Sequence, residues 1–452
     1  MIERYLNIAR EVIDLSLKQG AEQVSVSLAN ATSFQLEVRN QNIEALKEAG
    51  SSGIHVTLAK NQKRSTLSSN DFRLETLEPL IRSTLEALPL MGEDPFYTLP
   101  DPKLQGKAEI DLQFRDPNFE KMASTEKINE LMLLEKEALS IDSRLQTEEI
   151  SFSDSISYMV HGDSNGFLEG CSKTLCSHGV SMFAEDGGEE TERSSQNLNT
   201  GRKQSDGWYS SSRFRKDLES REDLARKAGE RTLRKLGSVK PKSCEVPVVF
   251  STEMAQSFLG SLASAMMGDN VFRKHSFLKD SLGETVANPE IRLSDEPLLP
   301  GKLGSRHYDS EGVKATPLML IDQGKLLSFM CSTYSANKLD RQSTGHAGGI
   351  SNLMLKPGNY SDEELIASID NGLYLTGMSG QGVNLTTGDY SRGAQGLWIR
   401  KGKLAEPVSE FTIASTFPEM LKGISMIGSE VDERSTILTP AFRIDSMNIS
   451  GS

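Results

Sequence analysis

The side chains that could hold a catalytic metal are the histidines and cysteines, but their spacing does not form a known zinc site. A catalytic zinc helix carries two histidines and a glutamate within about five residues, so that the ligands share one face. Here no two histidines lie within four residues of each other. Cys171, Cys176 and His178 are close in sequence, but their spacing is a weak zinc signal, and we interpret them as residues of a strand hairpin. The six histidines are His55, His161, His178, His275, His307 and His346.

The residues that could act as a nucleophile do not form a known motif either. Ser379 lies in the glycine-rich run 377–382, which resembles the nucleophile elbow Gly-x-Ser-x-Gly but lacks its spacing. The glycines of this run do not match a dinucleotide-binding loop, and the chain contains no P-loop. Because glycine favours tight turns, we interpret the run as a turn.

Polar, glycine-rich segments in the second half of the chain are the remaining candidates for a site. Such segments either shape a β-rich scaffold or line a cleft, and we predict a substrate cleft here. For His346 a structural hydrogen-bonding role is favoured over a catalytic one, although its convergence with Asp389 or Glu311 would create an independent active site. The segments are residues 308–312, 343–347, 381–384 and 387–391. The predicted cleft residues are His346, Gln381, Gly382, Asn384 and Asp389.

Length and composition indicate a folded protein of two or three domains. The chain has 452 residues, and single hydrophobic cores seldom grow beyond about 250–300 residues. Hydrophobic residues make up 37% and charged residues 25%, as in globular proteins. The net charge of −13 disfavours nucleic-acid binding, since an acidic surface repels phosphates. No apolar run approaches the roughly 20 residues that span a bilayer, so no membrane association is expected.

Cysteine usage indicates a reducing compartment. Disulfide frameworks belong to oxidising environments and use several cysteines at close spacing. This chain has four widely scattered cysteines, and we therefore expect a cytoplasmic protein.

The elements that position the candidate residues begin with a unit that occurs twice, at about residues 1–90 and 119–237. Each copy predicts a helix, several antiparallel strands and a second helix. In the first copy, apolar residues recur every three or four positions over residues 2–17, as on one helix face. They alternate over residues 24–28 and again over residues 34–38, which predicts two strands.

The composition changes between the two copies and again near Pro241. Four prolines between the copies exclude a regular helix there. Beyond Pro241 turn signals dominate, with hairpins predicted at residues 321–326 and 399–404. A capping box at Ser361 predicts one helix, which we expect to end at Gly372.

These patterns together predict an α+β fold. Residues 1–240 form an N-terminal domain with a duplicated helix–antiparallel-sheet–helix region. Residues 241–452 form a mainly β C-terminal domain.

The order of several short segments in the second half resembles the TldD/PmbA family, and specifically its PmbA branch, which is also called TldE. The resemblance covers essentially the whole chain, and the C-terminal segments are its most specific part. The segments are Tyr308-Asp309-Ser310-Glu311-Gly312, Tyr334-Ser335-Ala336, Ser343-Thr344-Gly345, Gly380-Gln381-Gly382-Val383-Asn384, Thr387-Gly388-Asp389-Tyr390-Ser391, Gly396-Leu397-Trp398-Ile399 and Pro407-Val408.

This resemblance implies a role in cytoplasmic proteolysis and peptide maturation, and an older description calls PmbA a modulator of DNA gyrase. In the family, the catalytic TldD branch carries a His-Glu-x-x-x-His helix and a later cysteine as zinc ligands. The PmbA branch pairs with it and lacks those ligands. Here Leu259, Gly260 and Ser264 stand where the two histidines and the general base would be. Residues 430–440, where the later ligand is expected, contain no cysteine.

The resemblance therefore implies a subunit of a TldD/PmbA-type metallopeptidase assembly that handles a peptide substrate. We expect no cofactor on this chain and zinc on a TldD-type partner. A homodimer is expected when the chain is alone. The alternative is a binding or regulatory protein without hydrolytic activity, of the gyrase-modulator type.

Overall fold

The structure, a computed structural model, describes residues 1–186 and 202–452. Residues 187–201 of the predicted second repeat lie outside the described residues. The helices are α1 Ile2–Lys18, α2 Leu74–Ala87, α3 Ser124–Ser140, α4 Arg221–Leu233, α5 Thr252–Met266, α6 Gly268–Phe272, α7 Thr333–Lys338, α8 Asp362–Ala367 and α9 Phe417–Gly423. The strands are β1 Gln23–Arg39, β2 Asn42–Lys60, β3 Lys63–Ser69, β4 Gln146–Asp163, β5 Leu168–Glu185, β6 Lys203–Ser212, β7 Cys244–Phe250, β8 Leu293–Asp295, β9 Leu318–Asp322, β10 Lys325–Leu326, β11 Leu353–Leu355, β12 Asn371–Ser379, β13 Asp389–Arg400, β14 Lys403–Thr416, β15 Ile424–Ile427, β16 Ile437–Leu438 and β17 Phe442–Ser450.

The N-terminal region contains the predicted duplication, and its two copies share one sheet. The first copy runs α1-β1-β2-β3-α2 and the second runs α3-β4-β5-β6-α4. The described strands lie in the order β3-β2-β1-β4-β5-β6, with β1 and β4 paired antiparallel at the centre. The α+β fold with a duplicated N-terminal unit is therefore confirmed.

Strand β1 corrects one prediction, because residues 24–28 and 34–38 belong to a single strand of 17 residues. No glycine or proline interrupts the small residues between them, and pairing with β2 and β4 on both sides satisfies the backbone. The first half packs against α1 in one core, and the second half packs against α3 and α4 in another. Both cores therefore lie on the same face of the sheet, which leaves the opposite face free to meet the C-terminal region.

The C-terminal region is mainly β and surrounds helix α5. Its larger sheet has the strand order β14-β13-β12-β7-β17-β15, with a parallel pair β7–β12, and a smaller sheet has the order β10-β9-β8-β11-β16. Both predicted hairpins are confirmed. Their central residues have positive φ, with 48° at Gln323 and 77° at Gly324, and 50° at Lys401 and 72° at Gly402. Positive φ at both positions is typical of the type I′ turn that joins twisted strands.

Helix α8 begins as predicted but ends earlier. The hydroxyl of Ser361 accepts a hydrogen bond from the backbone N–H of Glu364, whose carboxylate accepts one from Ser361 in return. The helix ends at Ala367, and Gly372 lies in β12. A Cβ at Gly372 would lie 2.5 Å from the carbonyl oxygen of Pro247 on β7. This glycine is therefore suited to a close approach between strands rather than to a helix end. Among the helices of the described ranges, none is long and apolar enough to cross a membrane.

Candidate functional site

Helix α5 occupies the place that the resemblance assigns to the metal helix. The side chain of Leu259 is buried in the C-terminal core. The Ser264 hydroxyl donates a hydrogen bond of 3.0 Å to the carbonyl oxygen of Gly260 within the same helix. A Cβ at Gly260 would lie 3.3 Å from the Cδ1 atom of Ile437. Leu259 offers only an aliphatic side chain, Gly260 has no side chain, and the Ser264 hydroxyl is already hydrogen-bonded. These groups do not fit a zinc ion, whose ligands are imidazole, thiolate or carboxylate.

The segment expected to carry the later ligand packs against this helix through apolar contacts. Ile437 belongs to β16, which pairs in parallel with β11, and its side chain packs against the C-terminal core. The charged part of the segment lies at the first turn of the helix, where Arg434 is 2.6 Å from Asp432 and 3.8 Å from Glu253 of α5. In the described part of the chain, no group of three or more His, Cys, Asp or Glu residues is placed to hold a metal.

Two of the polar, glycine-rich segments meet at the carboxylate of Asp309. One of its oxygens accepts hydrogen bonds from the backbone N–H groups of Glu311 and Val313, and the other accepts one from Ala347. Burial raises the pKa of Asp309, while these amides act in the opposite direction. This carboxylate therefore holds the 308–312 turn against the segment that contains His346.

His346 lies beneath these loops, because its side chain is only 1% exposed. Its Nε2 atom is 3.0 Å from Oδ2 of Asp295, and its Nδ1 donates to the carbonyl oxygen of Thr344 at 2.8 Å. Ser351 also donates to Asp295. Burial opposes ionisation of Asp295, but the hydrogen bonds from His346 and Ser351 hold its pKa below the usual value. This arrangement matches the structural role favoured for His346.

The other predicted cleft residues come together in the loop between β12 and β13. Gly382 accepts a hydrogen bond from the N–H of Ser391 at 2.7 Å, and the N–H of Asn384 donates to the carbonyl of Asp389 at 2.9 Å. Gln381, Asn384 and Asp389 are exposed. The structure does not connect this loop to His346, whose carboxylate partner is Asp295. Glu311 likewise uses its carboxylate elsewhere, to accept the N–H of Thr333.

A cavity of about 310 Å³ lies between the open face of the N-terminal sheet and the loops around Asp309. Sequence reasoning did not find it. Alternation along β4 and β5 places Met159, His161 and Lys173 on the sheet face opposite the helices, and Tyr308 lines the cavity from the C-terminal side. The sequence contains only a weak indication of this cavity. His161 and Lys173 occupy strand positions that face away from the apolar side of the sheet.

The environment of the cavity changes the protonation of its groups. Burial lowers the pKa of His161 to about 4, so the ring is neutral at neutral pH. Its Nδ1 lies 3.0 Å from the Ser27 hydroxyl. Burial also lowers the pKa of Lys173, to about 8, with smaller effects of nearby charges that include Arg213 and Arg306. Lys173 is therefore still mainly cationic at neutral pH.

Comparisons with known proteins agree with this architecture. Residues 117–236 match the PmbA/TldA metallopeptidase central domain, and residues 243–451 match the C-terminal domain of the same family. The chain is 32% identical to the metalloprotease PmbA homolog of Buchnera aphidicola, over 99% of this chain and 97% of that protein. It is 30% identical to the metalloprotease PmbA of Escherichia coli O157:H7, over 100% of this chain and 98% of that protein.

Solved structures with the same fold align with this chain over almost its whole length. A protein from Bacteroides thetaiotaomicron described as a modulator of DNA gyrase has a TM-score of 0.91 and 27% identity, over 99% of this chain and 98% of its own. TldE from Thermococcus kodakarensis has a TM-score of 0.82 and 20% identity, over 98% of this chain and 100% of its own. This likeness supports the fold alone. Family models, full-length identity and fold agree, and the chain belongs to the PmbA branch of the TldD/PmbA metallopeptidase family.

Proposed function

We propose that this chain is the non-metal subunit of a two-component peptidase. A TldD-type partner supplies the zinc, and this chain helps to form the walls that hold an extended peptide. The observation that carries the proposal is the contact between Gly260 and Ile437. The position of the general base has no side chain, and an aliphatic group lies against it. The family membership supports the peptidase context.

Exposed features of the structure are compatible with peptide binding. In β2, residues 54–60 pair with β3, whereas residues 42–53 pair with β1 and have no strand on their other edge among the described residues. An open strand edge can hydrogen-bond an extended peptide through the backbone. The exposed loop residues Gln381, Asn384 and Asp389 are proposed substrate contacts, and the buried His346 supports the fold beneath them.

Metal analysis and peptide hydrolysis test the proposal directly. The purified chain, a TldD-type protein and their mixture are each assayed for bound zinc and for cleavage of unstructured peptides. We expect stoichiometric zinc in the partner and in the mixture, and the full hydrolytic activity in the mixture. Stoichiometric zinc together with hydrolysis in this chain alone would overturn the proposal.

The oligomeric state and the compartment are part of the same proposal. We propose a homodimer when the chain is alone, which is the commonest symmetry of soluble oligomers, and a heteromer with the partner. Light scattering during size-exclusion chromatography measures both. The cytoplasm is the proposed compartment, supported by four cysteines that are all free.

A second candidate function is regulation of a topoisomerase without hydrolysis. It is favoured by the structural relative described as a modulator of DNA gyrase. The net charge of −13 suits a protein partner better than DNA. A pull-down with purified gyrase subunits tests this function, and lack of binding to either subunit excludes it.

A further inference from the structure

The cavity between the N-terminal sheet and the Asp309 loops is lined by two half-buried cations. Lys173 lines it from β5 and donates a hydrogen bond of 2.9 Å to the carbonyl oxygen of Ser305. Arg306 lines it from the C-terminal side and donates to the carbonyl oxygens of Gly345 and Gly349.

A third cation, Arg213, lies close enough to affect the pKa of Lys173. Its side chain is 6% exposed and donates to carbonyl oxygens, including that of Thr174 at 3.1 Å.

Within residues 1–186 and 202–452, none of these three cations forms an ion pair, whereas Lys107 nearby pairs with Glu169. Asp295 and Asp309 are close enough to act on the pKa of Arg306, but neither is within ion-pair distance of it. The carboxylate that lines the cavity, Asp309, already accepts three backbone hydrogen bonds. Burial of an unpaired charge is costly, and such charges are normally paired. The cluster therefore favours an anion as its missing partner.

The other residues that line the cavity indicate the chemistry of the rest of the ligand. Met159 and Ala29 from the sheet and Phe114 from the linker give it an apolar surface. Burial raises the pKa of Tyr308, so its hydroxyl stays protonated and can donate a hydrogen bond. One ammonium and one hydroxyl beside apolar walls suit a monovalent carboxylate on an apolar group better than a strongly hydrated phosphate.

We propose that this cavity binds a carboxylate carried on an apolar or aromatic side group, with the carboxylate at Lys173 and Tyr308. Two sources share this chemistry, a free N-blocked amino acid and the C-terminal residue of a peptide. The choice of a peptide rests on the proposed function, whereas the carboxylate site itself does not. Nothing in the site requires a metal or a second subunit.

Isothermal titration of the full chain at pH 7 tests the proposal with four probes. They are N-acetyl-leucine, a pentapeptide ending in leucine with a free carboxylate, the same peptide as its C-terminal amide, and inorganic phosphate. We expect the free-acid peptide to bind at least about tenfold more tightly than its amide, because one charged hydrogen bond is lost in the amide. Binding of N-acetyl-leucine as tightly as the peptide would identify a free acid as the source.

Two variants and one control connect the binding to the cavity. Lys173→Met should remove the preference for the acid and should fold, because it replaces a half-buried charge by an apolar side chain of similar length. Tyr308→Phe, which removes only the hydroxyl, should weaken acid binding by a smaller factor. Lys107→Met is the matched control, since Lys107 is 47% exposed and paired with Glu169, and it should bind like the unmodified chain.

A further readout separates a direct contact from a structural role. At pH 8.5, binding of the acid should be accompanied by proton uptake, because a nearby carboxylate favours the charged form of Lys173. Lys173→Met should abolish this uptake, as measured by titration in buffers of different ionisation enthalpy.

Three outcomes would overturn the carboxylate site. They are equal affinity for acid and amide, no binding of either, and phosphate binding as tight as that of the acid. Neither partner nor zinc enters this assay, so its failure leaves the proposed function standing. Conversely, hydrolysis by the chain alone would overturn the proposed function and leave the carboxylate site intact.

Discussion

The guanidinium of Arg434 lies 3.6 Å from the centroid of the Trp208 ring, and this contact joins the last part of the chain to strand β6 of the N-terminal sheet. The same guanidinium donates to Asp432 at 2.6 Å and to the carbonyl oxygen of Tyr209 at 3.0 Å. The side chain of Arg434 is 10% exposed, so these interactions are largely desolvated. A cation over an aromatic face contributes most under such conditions.

Replacement of Arg434 by alanine should lower the free energy of unfolding by about 3 kcal/mol, because it leaves a buried carboxylate without its partner. Arg434→Lys should recover only part of the loss, since an ammonium cannot stack and bind bidentately. Denaturant unfolding followed by tryptophan fluorescence measures both. The control is Arg226→Ala, whose exposed ion pairs should contribute under about 1 kcal/mol. Equal losses for the two alanine variants would contradict the prediction.

Gly260 should tolerate alanine but not glutamate. Gly260→Ala should raise the free energy of unfolding by up to about 1 kcal/mol, because alanine has the higher helix propensity. The atom nearest to the added Cβ is the terminal methyl group of Ile437, which can shift. Glutamate places a carboxylate against that methyl group and should cost about 1–3 kcal/mol. Thermal unfolding measures both variants. Ile437→Ala combined with Gly260→Glu should recover stability relative to Gly260→Glu alone, and the absence of recovery would show that the two residues do not interact.

Removal of the His346 side chain should destabilise the chain strongly. His346→Ala leaves the buried Asp295 carboxylate without its imidazole partner, with an expected cost of about 3–5 kcal/mol. The double variant with Asp295→Asn should cost less than the sum of the two single variants, because the residues are in contact. Chemical denaturation of the four chains gives the coupling energy. Additive effects would argue against the pair.

The loop that holds the predicted cleft residues depends on one glycine in particular. A Cβ at Gly382 would lie 1.3 Å from the carbonyl oxygen of Ser391, so Gly382→Ala must displace the loop. Gly380 has φ +78° but nothing within 4 Å, so Gly380→Ala should cost only about 1–2 kcal/mol of backbone strain. Hydrogen exchange of residues 380–391 should increase in Gly382→Ala well beyond Gly380→Ala. Similar exchange in both would refute the steric argument.

His161 should make the chain sensitive to mild acid. Burial lowers the pKa of His161 from 6.5 to about 4, so between these values the unfolded chain binds a proton that the folded chain does not. Stability from this residue is therefore complete above pH 6.5 and decreases as the pH falls towards 4. His161→Gln should reduce the loss of thermal stability between pH 7 and pH 4.5. His55→Gln, at an exposed ring, is the control and should retain the original slope.

The sequence by itself determined the features that depend on neighbours along the chain. Period-two and helical patterns predicted the duplicated unit, and two-residue turns such as Lys401-Gly402 predicted the hairpins, because both signals are local. The residue types at Leu259, Gly260 and Ser264 already excluded a zinc-binding helix at that position. The family was also recognised from short segments in their order.

Only the tertiary structure decided which distant groups meet. His346 pairs with Asp295, which is 51 residues away, and Lys173 contacts Ser305, which is 132 residues away. No local pattern encodes such pairs, since they result from sheet register and from the packing of one sheet face against the loops of the other region. The joining of two predicted strands into β1 has the same origin, because its central residues are held by β2 and β4. The cavity lined by Lys173 and Arg306 exists only where those distant segments pack together.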